Sequence, residues 1–197
     1  MVHPDTELRY ISDAIGWGVF ATRPIPRGTI TWALDALDQK FTPTQAALLP
    51  EYARNLLDKY SYIDAAGRYI LCWDHARFFN HSCEANCLSV GYDFELAIRD
   101  IAAGEERTDD YGTLNPDEPF SCLCAASGCR GAVQPDDMLR LGEIWNVLSR
   151  DAFFRIRQVP QPLWHLVPDR EIVEAALADP NRLRTIHHHY RRQPIAH

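Results

Sequence analysis

No run of the 197-residue chain approaches the roughly 18 consecutive apolar residues that a membrane-spanning helix requires. Lysine is scarce: Lys40 and Lys59 are its two examples, and the other cations are arginines. Positive charge as a whole is in deficit, with 20 Lys and Arg against 27 Asp and Glu and a formal net charge of −7. A protein that grips phosphate backbones needs the opposite balance, so direct nucleic-acid binding is not expected. The first residues, Met-Val-His-Pro-Asp-Thr-Glu, hold neither a basic leader nor an apolar run, and no classical signal peptide is predicted there. Internal repeats are missing too, and the short run His187–His189 is the nearest approach to low complexity. Together these absences predict an intracellular, reducing compartment, cytoplasmic or, in a eukaryote, nuclear. Six cysteines in such a compartment are not six halves of disulfides.

What is present is the composition of a folded protein, 46% apolar and 24% charged, enough for one core with a small appended subdomain. The charge deficit is uneven. Residues 1–134 carry 19 acids and 11 bases, a net of −8, whereas residues 135–197 carry 8 acids and 9 bases, a net of +1. An acidic front half favours cationic partners such as Lys/Arg-rich peptides through electrostatic steering.

The front half reads mainly as short strands. Leu8–Ile11, Val19–Ala21 and Thr29–Trp32 are β-branched and aromatic, broken by Gly16, Gly18, Gly28, Pro24 and Pro26, which predicts extended pieces joined by turns. Thr44–Lys59 has the apolar spacing of a loose helix interrupted at Pro50. Tyr60–Ile63 and Arg68–Trp73 flank Asp64–Gly67 as a hairpin. Phe94–Arg99 and Glu106–Tyr111 are further strands. From Asn115 to Gly131 the chain is too rich in Pro and Cys to bury much apolar surface unaided, so a staple is needed. Beyond it, residues 137–157 and 171–178 have helical spacing. That favours packing on the core, and the end is expected to fray as a solvated His187–His189 and Arg191-Arg192.

Gly16-Trp-Gly18-Val-Phe-Ala21 fits the G-x-G-x-x-A dinucleotide pattern. That pattern works only where a helix starts inside it, so that its N-terminus meets the pyrophosphate. Pro24 and Pro26 fall where the helix interior would be, at about 3 kcal/mol each, and the dinucleotide reading is rejected. Two glycines around Trp17 leave either a plain β-turn or a backbone that a ligand can approach closely.

Cys122-Leu-Cys124-Ala-Ala-Ser-Gly-Cys129 places three thiols in eight residues. With a fourth from Cys83, Cys87 or Cys72 they suit a tetrahedral zinc set, the alternatives being free thiols, a strained Cys122–Cys124 disulfide or a redox role, and zinc would supply the missing staple. In Arg77-Phe-Phe-Asn-His-Ser-Cys-Glu-Ala-Asn86, the groups Asn80, His81, Ser82 and Asn86 are too polar for a simple core. They either form a buried hydrogen-bonded network or line a site. His81 beside Ser82 is no hydrolase signature, because neighbouring side chains seldom face each other and no G-x-S-x-G elbow exists.

In order along the chain, Gly16-Trp-Gly18-Val-Phe-Ala21, Arg77–Asn86, Gly104-Glu-Glu, Asp110-Tyr-Gly112 and the run of Cys122, Cys124 and Cys129 resemble the SET-domain protein lysine methyltransferases with a post-SET segment. The resemblance covers about residues 8–132. It implies a mainly β fold with α additions: a SET-type β-clip of small sheets, a pseudoknot formed by Asn80–Cys83 and Asp110–Gly112, and a zinc-bound post-SET segment. The domains would be 1–115 (SET, with an inserted helical stretch near 44–59), 116–134 (post-SET) and 135–197 (helical C-terminal extension, outside the resemblance). It further implies S-adenosylmethionine as cofactor, contacted by Trp17, Gly18, Arg77, Phe78, Asn80, His81 and Leu123. One structural Zn2+ would be held by Cys83, Cys122, Cys124 and Cys129, leaving Cys72 and Cys87 as buried thiols. Tyr111 would be the catalytic tyrosine where the methyl group passes to a lysine amine, and the substrate a basic protein or peptide (histone-like, ribosomal or DNA-packing).

For that chemistry the cofactor brings the reactive group and the protein brings orientation and electrostatics. Tyr60, Tyr62, Trp32 and Phe94 are candidate channel walls or core residues. Two positions depart from the family pattern Leu-Thr-aromatic-Asp-Tyr. Arg107 stands at the leucine and is expected to face solvent or pair with a carboxylate such as Glu105, and Asp109 stands at the aromatic residue. Asp109 motivates the competing reading, a zinc-stapled SET-like binding module without turnover. A hydrolase using His75 and His81 lacks an evident ligand triad. Oligomeric state, methylation state and substrate are not set by the sequence.

Overall fold

A computed structural model of the chain describes residues 1–191; Arg192 of the expected solvated end lies outside the described residues. β1 (Thr6–Ser12) and β2 (Gly16–Ala21) form an antiparallel hairpin whose turn ends on Gly16 at φ +86°, a conformation glycine adopts without steric penalty. No helix begins inside Gly16–Ala21, as the rejection of the dinucleotide pattern requires. β3 (Ile30–Ala33) is buried along its whole length and is followed by β4 (Gln39–Phe41).

The expected interrupted helix is two helices, α1 (Pro43–Ala47) and α2 (Glu51–Tyr60). Thr42 and Gln45 close a capping box on α1, and Pro50, extended at ψ 153°, separates the two because its ring blocks helix continuation. β5 (Ser61–Ile63) and β6 (Tyr69–Leu71) make the expected hairpin. Its turn is tied by the Asp64 carboxylate, which accepts the amides of Ala66 and Arg68 at 2.9 Å each.

β7 (Asn80–His81), β8 (Cys87–Ser89), β9 (Phe94–Ala97) and β10 (Glu106–Asp109) complete a seven-stranded sheet in the order β1-β2-β10-β8-β9-β3, with β7 beside β10. β10 is its hub: antiparallel to β2, parallel to β7 and to β8. Thr108 pairs with Asn80 and Asp109 with His81. The two segments expected to thread are therefore side by side. β4, β6 and β5 form a second small sheet, and β11 (Phe120–Ser121) pairs with β12 (Ala132–Val133) across the cysteine segment.

α3 (Asp137–Phe153) and α4 (Arg170–Ala178) form no separate layer. Phe153, Ile156, Leu163, Val173 and Ala176 share one buried cluster with Ile30, Phe94 and Leu96 of the main sheet. Tyr92 stacks between Phe94 and Phe153, with ring centroids 5.6 and 5.5 Å away. Each such aromatic buries enough apolar surface to contribute about 1.5–3 kcal/mol. α3 ends at Phe153, short of the expected 157, and a 3-10 turn at Ile156–Gln158 leads to Pro160 and Pro162, which cannot continue a helix.

Residues 186–191 do not fray as expected. Ile186 is buried, and His189 donates from Nε2 to the Tyr92 carbonyl at 3.0 Å. Asn115 accepts the Arg191 amide at 3.0 Å and donates to the His189 carbonyl at 2.8 Å. Residues near the end are thus strapped to the loop before the cysteines, because buried backbone groups require partners. No described helix is long and apolar enough to cross a membrane.

If the C-terminal helices complete the core, Phe153→Ala lowers unfolding free energy by about 3–5 kcal/mol. Urea denaturation should show that loss in a single cooperative transition, with no separate C-terminal phase.

Candidate active site and cysteine centre

Tyr111 stands two residues beyond β10, and four hydrogen bonds hold its surroundings. Its hydroxyl donates to the Phe79 carbonyl. Its backbone amide donates to His81 Nδ1 at 3.1 Å. The preceding Asp110, almost fully buried, accepts both terminal guanidinium nitrogens of Arg130 at 2.7 Å, a fork geometry that fixes orientation as well as charge. Arg130 also reaches Asp137 at the start of α3, 3.3 Å away. Burial, reinforced by the nearby Asp109 carboxylate, pushes the Tyr111 phenol far above its ordinary range. It is therefore a neutral hydrogen-bonding group at physiological pH and not a base.

Tyr111 lines a cleft of about 730 Å³. Trp32, Tyr60, Tyr62 and Phe79 contribute its aromatic walls, Trp32 and Tyr62 meeting edge to face at 5.9 Å. Phe94, the fourth expected wall, does not line it; it is buried in the core under Tyr92. Around these rings stand Asp58, Asp64, Asp93, Asp117 and Glu118, with Lys59 and Arg77 as the lining cations. The cleft is aromatic inside and acidic around, the pattern that attracts a cation carried on an alkyl stem.

Arg107 takes the second of its two expected courses and pairs with carboxylates, though not with the one named. It is fully buried and pairs with Glu95 on β9 and Asp109 on its own strand, not with Glu105 or solvent. Its guanidinium carbon also lies 3.4 Å from the Phe79 ring centroid. The reason is strand alternation. Arg107 and Asp109 point to the same, interior face of β10, so a cation there must find buried partners. Glu105 is held elsewhere, by Arg99 at 2.6 Å and the Ala102 amide at 2.8 Å.

The polar run Asn80–Asn86 divides its work. Asn86 is buried and clamps β10, accepting the Thr108 amide at 2.9 Å and donating to the Glu106 carbonyl at 2.7 Å. Asn80 donates to the Trp17 carbonyl at 3.0 Å and to Glu106 Oε1 at 2.7 Å. Trp17 and Leu123 remain largely exposed, and Arg77 lies over the Phe78 ring at 5.5 Å.

Cys83, Cys122 and Cys124, with His81, bring their donor atoms within 4.8 Å of one another. Cys83 Sγ and Cys122 Sγ are 3.8 Å apart. Each of the four sulfurs considered from the sequence accepts one backbone amide: Cys83 from Arg130, Cys122 from Cys124, Cys124 from Cys83, and Cys129 from Gly131, at 3.3–3.5 Å. Such amides stabilise thiolates. Burial raises the Cys124 thiol, yet amide and thiol donors outweigh it and bring it down to about 6. Because His81 Nδ1 accepts the Tyr111 amide, the neutral ring carries its proton on Nε2, which points at Cys83 Sγ at 3.4 Å. His81 is therefore placed to donate to a sulfur rather than to bind a metal. Cys72 and Cys87 lie buried away from this group, with burial pushing Cys87 up to about 12.

The model of the SET domain matches residues 16–112. This is a SET-domain protein. Histone-lysine N-methyltransferase SETD1 of Drosophila melanogaster is 30% identical over 147 residues, covering 64% of this chain and 8% of that protein. Histone-lysine N-methyltransferase SETD2 of Mus musculus is 30% identical over 146 residues, covering 66% of this chain and 6% of the relative. Histone-lysine N-methyltransferase ash1 of Drosophila melanogaster is 31% identical over 147 residues, covering 67% and 6%. The chain spans less than a tenth of the length of these curated relatives.

Within this SET domain the structure adds residues that the motifs did not mark. Glu95 had no signal beyond its place in a strand, and Arg130 none beyond its place beside Cys129. Asn115 carries the one sequence hint, since an asparagine before Pro116 is a turn residue, and its φ of +53° is one that asparagine tolerates.

Removing the buried cation leaves two carboxyl groups without their partner. Arg107→Ala is expected to destabilise the SET domain by about 3–5 kcal/mol, measurable as a lowered midpoint in denaturant with an unchanged slope.

Proposed function

We propose that this SET domain is an S-adenosylmethionine-dependent protein-lysine N-methyltransferase acting on a basic protein or peptide of the histone-like, ribosomal or DNA-packing kind. The observation that carries this reading is the position of Tyr111, its hydroxyl tied to a backbone carbonyl, in the wall of an aromatic cleft surrounded by carboxylates.

The residues at the glycine turn fit the cofactor. A Cβ on Gly18 would lie 2.7 Å from Ile11 Cδ1 and 2.9 Å from Asn80 Nδ2, so the absence of a side chain is what lets Asn80 reach the Trp17 carbonyl. Trp17 and Leu123 offer apolar surface left in water, suited to cover an adenine. Trp17, Gly18, Arg77, Phe78, Asn80, His81 and Leu123 would hold S-adenosylmethionine, which supplies a methyl group on a sulfonium when bound.

The chain's own residues do the rest. The acidic surroundings concentrate a Lys-bearing segment, and the walls Trp32, Tyr60 and Tyr62 hold its alkyl stem in a near-attack pose. Tyr111, its proton engaged by the Phe79 carbonyl, presents oxygen lone pairs to the substrate nitrogen. Holding the phenol neutral, burial ensures that it orients the amine.

The cysteine cluster fits zinc. Thiolates bound tetrahedrally at ~2.3 Å lie about 3.8 Å apart, the separation of Cys83 and Cys122 Sγ. Cys83, Cys122, Cys124 and Cys129 would hold one structural Zn2+, with the His81 Nε2–H donating to Cys83. Arg130, next to Cys129, ties that cluster to Asp110, so the metal would set the position of the residue before Tyr111.

Two measurements test these readings. Methyl-labelled S-adenosylmethionine with a pool of basic proteins should label lysine, and Tyr111→Phe should lower the rate by about 10²-fold or more. Tight cofactor binding with no label from the parent protein would favour a SET-like binding module instead. Chelation of the reduced protein should release about one zinc and expose residues 116–131 to proteolysis, as expected where metal binding is folding energy. Finding no metal after expression in zinc-replete medium would remove the four-cysteine assignment.

A further inference from the structure

The floor of the cleft holds more negative charge than its partners balance. Glu95 and Asp109, both buried, share one guanidinium, that of Arg107. Among the described residues no second cation pairs with either carboxylate. Arg107 engages Asp109 through Oδ2, whereas Asp109 Oδ1 is buried without any hydrogen-bond partner. Asp109 also lines the cleft, beside Tyr111 and Trp32. An orphaned buried carboxylate oxygen is costly unless a ligand satisfies it. What fits is a monocation that donates a hydrogen bond, and a lysine ammonium is one.

The reaction proposed above needs that ammonium to lose a proton, because lysine in water ionises about three units above neutral pH. Tyr111 is unsuited, its hydroxyl already donating to Phe79. We infer that Asp109 Oδ1 is the proton acceptor for the substrate ammonium, and that Arg107 is the positioning residue that aims it. This inference rests on the methyltransferase reading. In the step, one N–H bond breaks and one O–H bond forms on Oδ1. The N–H electron pair stays on nitrogen as the lone pair, and ammonium plus carboxylate become amine plus carboxylic acid. The acid proton returns to water as the product leaves. Burial and the Glu95 charge raise Asp109, and the Arg107 guanidinium opposes them; that ion pair keeps the group a carboxylate, as a proton acceptor must be. The groups facing it are Glu95 from β9, Arg107 from β10, the neutral Cys87 thiol from β8 and Tyr111.

Initial rates of methyl transfer to a lysine peptide, from acid to alkaline pH, test this in the full chain. Asp109→Asn keeps the shape and removes the base. Its kcat/KM should fall roughly 10²-fold at neutral pH and approach the parent's at alkaline pH. A peptide carrying S-(2-aminoethyl)cysteine, a lysine isostere with a less basic amine, should recover much of the neutral-pH loss. Arg107→Lys should show the same pH-dependent loss, in kcat more than in KM. A variant that keeps the parent's pH profile, or loses activity equally at every pH with both peptides, overturns the assignment. Should Asp109→Asn fail to fold, the parent decides alone: similar neutral-pH rates for the two peptides support a protein base, and a tenfold or greater advantage for the less basic one overturns it. No methyl transfer by the parent to any basic protein overturns the methyltransferase reading itself, a result separable from an active parent with an unaffected variant.

Discussion

A guanidinium with no exposure to water, clasped between Glu95 and Asp109 and lying against the Phe79 ring, is the constraint on which the site depends. An isolated charge in that position is prohibitively unstable, so the fold must deliver two carboxylates and an aromatic face to one point. Delivering them brings β9, β10 and the Asn80 segment together, and with them the walls of the cleft. An arginine where the family pattern has leucine is thus an organising centre rather than a surface substitution.

β10 transmits this order in both directions. On one side it pairs with β2, whose glycine turn is fixed by Asn80. On the other it pairs with β7 and β8, while Asn86 clamps its backbone. Beyond its end, Asp110 is gripped by Arg130 from the cysteine segment, and Arg130 reaches Asp137 on α3. Chemistry-bearing groups from four stretches of chain therefore share one rigid reference. Such sharing suits a site whose reacting atoms need placement to a fraction of an ångström.

The legible parts of this molecule were those where one residue type has one physical use. Proline at position 50 breaks a helix wherever it is placed, and the break is there. Glycine at 16 and 18 with prolines at 24 and 26 excludes a helix, and a strand stands in its place. Cys122 and Cys124, closely spaced in sequence, meet Cys83 and His81. The sequence offers Arg107 a carboxylate partner but not which one, because Glu95 lies on a different strand. The tail was misread for the same reason. His187–His189 looks soluble, but Asn115, distant in sequence, donates to the His189 carbonyl, and the Tyr92 carbonyl accepts from the His189 ring. Phe94 is a wall or core by sequence, and only its stacking on Tyr92, in the cluster shared with Phe153, decides for core.

By itself the sequence determined the SET-domain membership, the strand-rich front half, the helices of the C-terminal extension and the acidic character of the half that holds Tyr111. Those are properties of local pattern, set by backbone sterics, side-chain periodicity and ligand chemistry. Only the tertiary structure decided that Arg107 is buried between two carboxylates, that one Asp109 oxygen is left without a partner, and that the C-terminal helices finish the core. These depend on which strands become neighbours, and strand neighbours are chosen by the burial of the whole chain, which no local window of residues contains.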